Sequence, residues 1–162
     1  MSVTQEKLAA LGLVLPAPVA IPEGVTLPFP FVNVRGNRAF VSGHGPQNTD
    51  GSLATPFGKL GREVSVEQGY ELARKTGLSM LASLQRELGD LDRISGWARV
   101  FGMVNSAPGF TEQPQVINGF SHLILEVFGA EKGRHARSAV GMAELPFGAG
   151  IAVEIEAEVL ID

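Results

Sequence analysis

From Val153 to Ile161 the chain alternates: Val153, Ile155, Ala157, Val159 and Ile161 are apolar, and Glu154, Glu156 and Glu158 stand between them. A period of two fits a pleated strand whose side chains point to opposite faces, and it fits no helix. Such a strand needs a covered side for its apolar row and a second side for three carboxylates, so the chain has to build a sheet. The preceding stretch, His135–Leu145, is rich in small apolar residues. Residues Pro146-Phe147-Gly148-Ala149-Gly150 connect it to Ile151–Ile161. The expectation is a hairpin of two neighbouring strands.

Upstream the pattern continues. Phe31–Arg35 and Arg38–Gly43 flank Gly36-Asn37, a two-residue hairpin signal. Ser65 and Gln68 have capping-box spacing and open a helix with Gly69, Ala73, Gly77, Met80, Leu84 and Leu88 on one face, stopped by Gly89. Ile94–Asn105 reads as a strand with Trp97, Phe101 and Met103 on one side. A second helix is expected over Gln115–Phe128, stopped by Gly129. The order β-β-α-β-α-β-β predicts the α+β class, a mixed sheet with two helices packed on one face. The large residues on the other face call for a partner subunit to cover them. Before Phe31, Ser2–Gly12 reads as a short capped helix, and the five prolines of Pro16–Pro30 as an extended wrap. Residues 1–30 are therefore an extension, and 31–162 a single domain.

Composition narrows the chemistry. The absence of cysteine excludes disulfides, thiolate metal sites and a cysteine nucleophile. A net charge of −4 weighs against a phosphate backbone as partner. The apolar stretch Leu8–Leu15 is too short to span a bilayer, and Glu6 and the following prolines do not suit a signal peptide, so a soluble, cytoplasmic protein is expected. Neither a G-x-G-x-x-G nor a Walker lysine occurs, and His44, His122 and His135 lack close metal-ligand spacing. The expectation is neither cofactor nor metal.

Arg137 lies among Ala136, Ala139, Val140 and Gly141, where a guanidinium fork has room to hold a small carboxylate; a structural ion pair with a neighbouring Glu is the alternative. The glutamate row is a solvated strand face, or else one member turns inward and orients a water or takes a proton. Ser42-Gly43-His44-Gly45 is no nucleophile elbow, but it can be a turn presenting backbone N–H groups to a ligand. Asn118 is a candidate pocket amide.

Ala136-Arg137-Ser138-Ala139-Val140 with Leu145-Pro146, then Val153-Glu154-Ile155-Glu156-Ala157, resembles the C-terminal signature of the YjgF family, the reactive intermediate deaminases. Phe40-Val41-Ser42-Gly43, the Asp50-Gly51 turn and Val116-Ile117-Asn118-Gly119-Phe120 resemble its second strand, following loop and second helix. The resemblance implies a chorismate-mutase-like homotrimer with clefts between subunits. It also implies hydrolysis of small enamines and imines, such as 2-aminoacrylate and 2-iminobutyrate, to 2-keto acids and ammonia. In that frame Arg137 matches the carboxylate-binding arginine and Glu154 the water-orienting glutamate, while Ser42, Gly43 and Ala139 match positions lining the cleft. Phe31 stands in place of a frequent tyrosine, Ala139 of a cysteine and His44 of a glutamine. Two other readings stay open: a trimer that binds 2-keto or amino acids without turnover, and an endoribonuclease, for which the acidic charge argues poorly.

Overall fold

Ser2 and Ser65 each cap a helix through the reciprocal hydrogen bonds that their spacing predicts, opening α1 (Val3–Ala10) and α2 (Val66–Leu88) in the computed structural model, which describes residues 1–162. Gly36-Asn37 turns β1 (Val32–Arg35) into β2 (Arg38–His44). After α2 come β3 (Ile94–Asn105), α3 (Gln113–Lys132), β4 (Ala136–Met142) and β5 (Val153–Ile161). The sheet order is β1-β2-β5-β3-β4, with β3 and β4 parallel and every other pair antiparallel. This is an α+β, chorismate-mutase-like fold with a mixed five-stranded sheet.

The apolar row of β5 is buried against the helices, and its glutamates point to the other face. Helices α2 and α3 pack so closely that a methyl group on Gly119 would lie 2.0 Å from the Tyr70 carbonyl oxygen. On the same seam a Cβ on Gly77 would lie 2.6 Å from Leu123 and one on Gly69 3.1 Å from Val116. Those glycines therefore set how near the two helices approach. No helix is long and apolar enough to cross a membrane.

Three expectations need correction. First, β4 and β5 do not form a hairpin: β3 lies between them, and β5 fills the slot between β2 and β3. Residues 143–152 are ample to cross one strand, and β5, apolar along one whole side, suits the centre of the sheet. Second, Trp97 does not share a face with Phe101 and Met103. A register shift between Trp97 and Arg99 turns the indole toward the helices, where it packs on Phe120 and Phe128 at 5.8 and 5.7 Å. Third, Gly129 (φ 79°) interrupts α3 without ending it, and the chain makes a further turn to Lys132.

The extension follows the body of the protein. Val3 and Thr4 donate their N–H groups to Asp92, each at 2.8 Å, and Leu8 is buried in the core. Farther along, the Ala17 N–H bonds the Thr49 carbonyl at 2.9 Å. Gly51 sits against Pro18 so tightly that a side chain there would collide with the backbone.

Candidate functional site

At the end of β2 the pairing with β5 slips by one residue between Val41 and His44. Such a bulge bends the strand and re-aims the residues beyond it. Ser42 uses the bend to fasten the incoming extension: its N–H bonds Phe31 O at 2.9 Å and its hydroxyl donates to Pro30 O at 2.8 Å. His44 turns inward. Its Nδ1 donates to Ser42 O at 2.5 Å, which leaves Nε2 to accept from the Ser83 hydroxyl at 2.8 Å. Burial, and secondarily Arg86, lower its pKa, so His44 is a neutral link and not a charge. Phe31 lies 5.6 Å from the imidazole, ring centre to ring centre.

Glu154 faces Gly43 across the β2–β5 boundary. A Cβ on Gly43 would stand 3.0 Å from the carboxyl carbon, so the missing side chain is what gives the carboxyl its place. The chain's carboxylate–cation pairs use Glu63, Glu126, Glu144 and Glu158, leaving Glu154 uncompensated. It is half-buried, and desolvation, then the charge of Glu156, raise its pKa above the ordinary carboxylate value. Together with Gly43, His44 and Gln47 it lines a cavity of about 360 Å³. The remaining lining is largely apolar: Val19, Val25, Leu27 and Phe29 come from the extension, and Leu53 and Phe147 from two connections.

Arg137 belongs to a second cluster. It points to the helix side of β4, where Nη1 donates to Asn118 Oδ1 at 2.8 Å and to Ser121 Oγ at 3.2 Å. The Ser121 hydroxyl in turn donates to His135 Nε2 at 2.9 Å, and His135 Nδ1 donates to Gly133 O at 2.7 Å. No carboxylate pairs with Arg137, so the ion pair considered as an alternative is not formed. Its orientation is instead set by neutral acceptors, which leave its charge uncompensated. Ala139 lies on the same strand, partly buried beside the core.

Phe31, Ser42, Gly43, His44 and Glu154 thus come together, and Arg137, Asn118 and Ala139 form a separate group. Val100 of β3 is level with both Arg137 and Ala157, so Arg137 is two strands away from β5, roughly 10 Å, and Glu154 lies roughly another 10 Å along it. The two side chains also leave opposite faces of the sheet. Within one chain they cannot hold the same small molecule. Sequence reading missed Ser121, although it stands three residues after Asn118, one helical turn away on the same side, and weighed His135 as a metal ligand without linking it to Arg137. It also missed the cavity wall supplied by the extension, whose apolar residues between the prolines were the available signal.

Residues 5–159 match the protein family described as "YjgF/chorismate_mutase-like, putative endoribonuclease". Protein TCP17 of Trypanosoma cruzi is 48% identical over 119 residues, covering 74% of this chain and 73% of its own. The crystal structure of Atu1372 from Agrobacterium tumefaciens, a protein described as of unknown function, superposes with a TM-score of 0.86 at 39% identity, over 99% of this chain and 93% of that one. A "putative endoribonuclease" from Shewanella oneidensis MR-1 superposes with a TM-score of 0.85 at 30% identity, over 99% and 100%. Both structural matches extend through the N-terminal extension.

Proposed function

The chain belongs to the YjgF family, which includes enamine and imine deaminases, and on that premise we propose that it hydrolyses reactive imines to 2-keto acids and ammonia. The observation that carries the reading is Glu154: a half-buried carboxylate with no cationic partner, held beside a glycine at the wall of a cavity. Leaving a charge in that state costs stability, which is the mark of a group kept for chemistry.

The chemistry is undemanding. The imine carbon is already electrophilic, so the protein has to fix the carboxylate and present a water. Glu154 accepts a hydrogen bond from the water and aims its lone pair at C2. The new C–O bond forms as the C=N π electrons move to nitrogen, and the proton the water gives up to Glu154 is passed to that nitrogen. The carbinolamine then collapses: its hydroxyl proton is transferred to the amino nitrogen, the C–N bond breaks as the C=O bond forms, and ammonia departs from the 2-keto acid. One water is consumed for each ammonia released.

Arg137 supplies the carboxylate clamp, and because it lies far from Glu154 in one chain, the complete site needs two. In the assembly proposed here, a homotrimer, Arg137 of the partner subunit reaches the cavity of its neighbour. The edge position of β4 and the exposed Phe40 and Val140 on the open sheet face support that arrangement. An RNA substrate suits the net charge of −4 poorly.

Ammonia release from freshly generated 2-iminobutyrate, with wild type, Arg137→Ala and Glu154→Gln, tests the reading. Acceleration by wild type and its loss in both variants is expected, with sedimentation at three times the chain mass. Equal rates with and without wild-type protein, across several imines, would sink it.

A further inference from the structure

We propose that residues 19–29 of the extension form the side-chain subsite of the Glu154 cavity, and that the preferred substrates are imines bearing a branched aliphatic or aromatic side chain. The inference rests on the deaminase reading and adds to it the substrate class.

The segment is built as a strap. One end is tied by Ala17 to Thr49, and the other by Pro30 and Phe31 to Ser42. The first anchor lies where Gly51 admits the Pro18 backbone. Between the ties the strap's own bond runs from the Val25 N–H to Pro22 O, which makes a local turn. Its apolar side chains are thus set over the cavity by the two anchors.

Polarity is divided across the cavity. The groups able to bind water or polarise a substrate, Glu154, His44 and Gln47, lie toward the body of the sheet, while the strap contributes apolar side chains. Around the mouth, Ile21, Val25 and Phe29 remain 45%, 51% and 49% exposed, and Phe147 61%. Four large apolar residues gathered in water at one opening form the kind of patch that marks a binding site. Phe147 is also held at φ 71°, a region a bulky residue seldom occupies. The connection tolerates that strain while contributing an aromatic ring to the cavity wall.

Size points the same way. A cavity of about 360 Å³ lies within the range of roughly 300–1,000 Å³ that holds small-molecule ligands. The four-carbon imine has about seven non-hydrogen atoms, whereas those derived from leucine and phenylalanine have about nine and about twelve and fill more of such a space. The small substrate leaves the strap side wet; the larger ones place apolar atoms against it, and their removal from water favours binding.

The test generates imines in situ with an amino acid oxidase from 2-aminobutyrate, leucine and phenylalanine, and compares the accelerated ammonia release. Wild type is expected to favour the leucine- and phenylalanine-derived imines in kcat/KM by tenfold or more. Val25→Ser combined with Leu27→Ser should reduce that ratio at least tenfold, in line with the 10–200-fold discrimination of a roughly methylene-sized change in an apolar pocket. Ile21→Ser, at a position about half in water, is the second variant should the pair fail to fold. Val14→Ser, outside this cavity, should keep the wild-type ratio. Acceleration of all imines without preference, an equal loss on every imine in the strap variants, or a changed oligomeric mass in them would overturn the subsite and leave the deaminase reading standing. No acceleration of any imine defeats both.

Discussion

Gly43 and Glu154 are in contact across two strands, with the glutamate carboxyl occupying the space where a side chain on residue 43 would be: a Cβ there would sit 3.0 Å from both the carboxyl carbon and Oε1. The backbone of β2 therefore acts as the template for the group that we assign to water activation. Gly43→Ala should displace the carboxylate by several tenths of an ångström or more while leaving the core untouched. Imine hydrolysis is expected to fall by about 10- to 100-fold, since small misplacements of reacting groups are costly, with thermal unfolding close to wild type. An alanine variant with full kcat/KM would remove Glu154 from the mechanism.

The raised pKa of Glu154 sets the acid side of the pH profile. Burial is the larger cause and the Glu156 charge the second, so the carboxyl ionises above the ordinary glutamate value of 4.5. Activity should rise with pH through that shifted ionisation. Glu156→Gln removes the repelling charge, and the acid limb should move to lower pH; an unmoved limb would assign it to another group. Stability runs the opposite way. The folded state holds this proton more tightly than the unfolded chain, so ionisation weakens the fold as pH climbs from the ordinary to the raised pKa. Glu154→Gln should melt higher than wild type at pH 7 and lose that advantage near pH 4, while being inactive.

Asn118 and Ser121 share the Nη1 of Arg137. Removing one acceptor leaves the guanidinium attached but less constrained. A hydrogen bond to a charged group contributes about 1.5–3 kcal/mol, so Asn118→Ala should raise KM by roughly ten- to a hundredfold, with kcat much less affected. If kcat fell and KM held, the amide would act in the chemical step instead.

Gly119 lies under the Tyr70 carbonyl at a distance that no side chain tolerates. Gly119→Ala has to push α3 from α2 and should destabilise by about 1–3 kcal/mol, lowering Tm by roughly 3–10 °C. Gly129→Ala is the comparison. Its Cβ would meet nothing within 4 Å, so the backbone at φ 79° and ψ 170°, a region that is nearly glycine-only, alone sets the cost, about 1–3 kcal/mol.

The elements themselves were legible because local signals define them: two capping boxes, a Gly-Asn turn, and a strict alternation in β5. Their arrangement was less so. Nothing in the composition of β5 says that it pairs with β3 in preference to β4, because that choice depends on the parallel crossover made by α3 and on the length of the 143–152 connection. The bulge that reverses Trp97 likewise leaves no mark in a pattern read two residues at a time. At the site, Gly43, His44 and Glu154 converge because β2 and β5 are neighbours. Arg137 stands apart because β3 intervenes. Ser121 escaped notice, and His135 was not linked to Arg137, since a hydroxyl and an imidazole acquire a purpose only when something charged lies next to them. The strap is the extreme case: its residues read as a wrap, and which surface they cover depends on hydrogen bonds to Thr49 and Ser42, far away in sequence.

The sheet order has a consequence for how the molecule comes into being. Its central strand is the last of the five in chain order, and β1–β2 and β3–β4 share no ladder until it arrives. Until then each half, once made, exposes an unpaired edge beside apolar side chains, a state prone to wrong partners. Closure by β5 joins the two halves and places Glu154 next to Gly43 in the same event. A nascent chain stalled before residue 153 would lack both a finished sheet and the carboxylate that we assign to water activation.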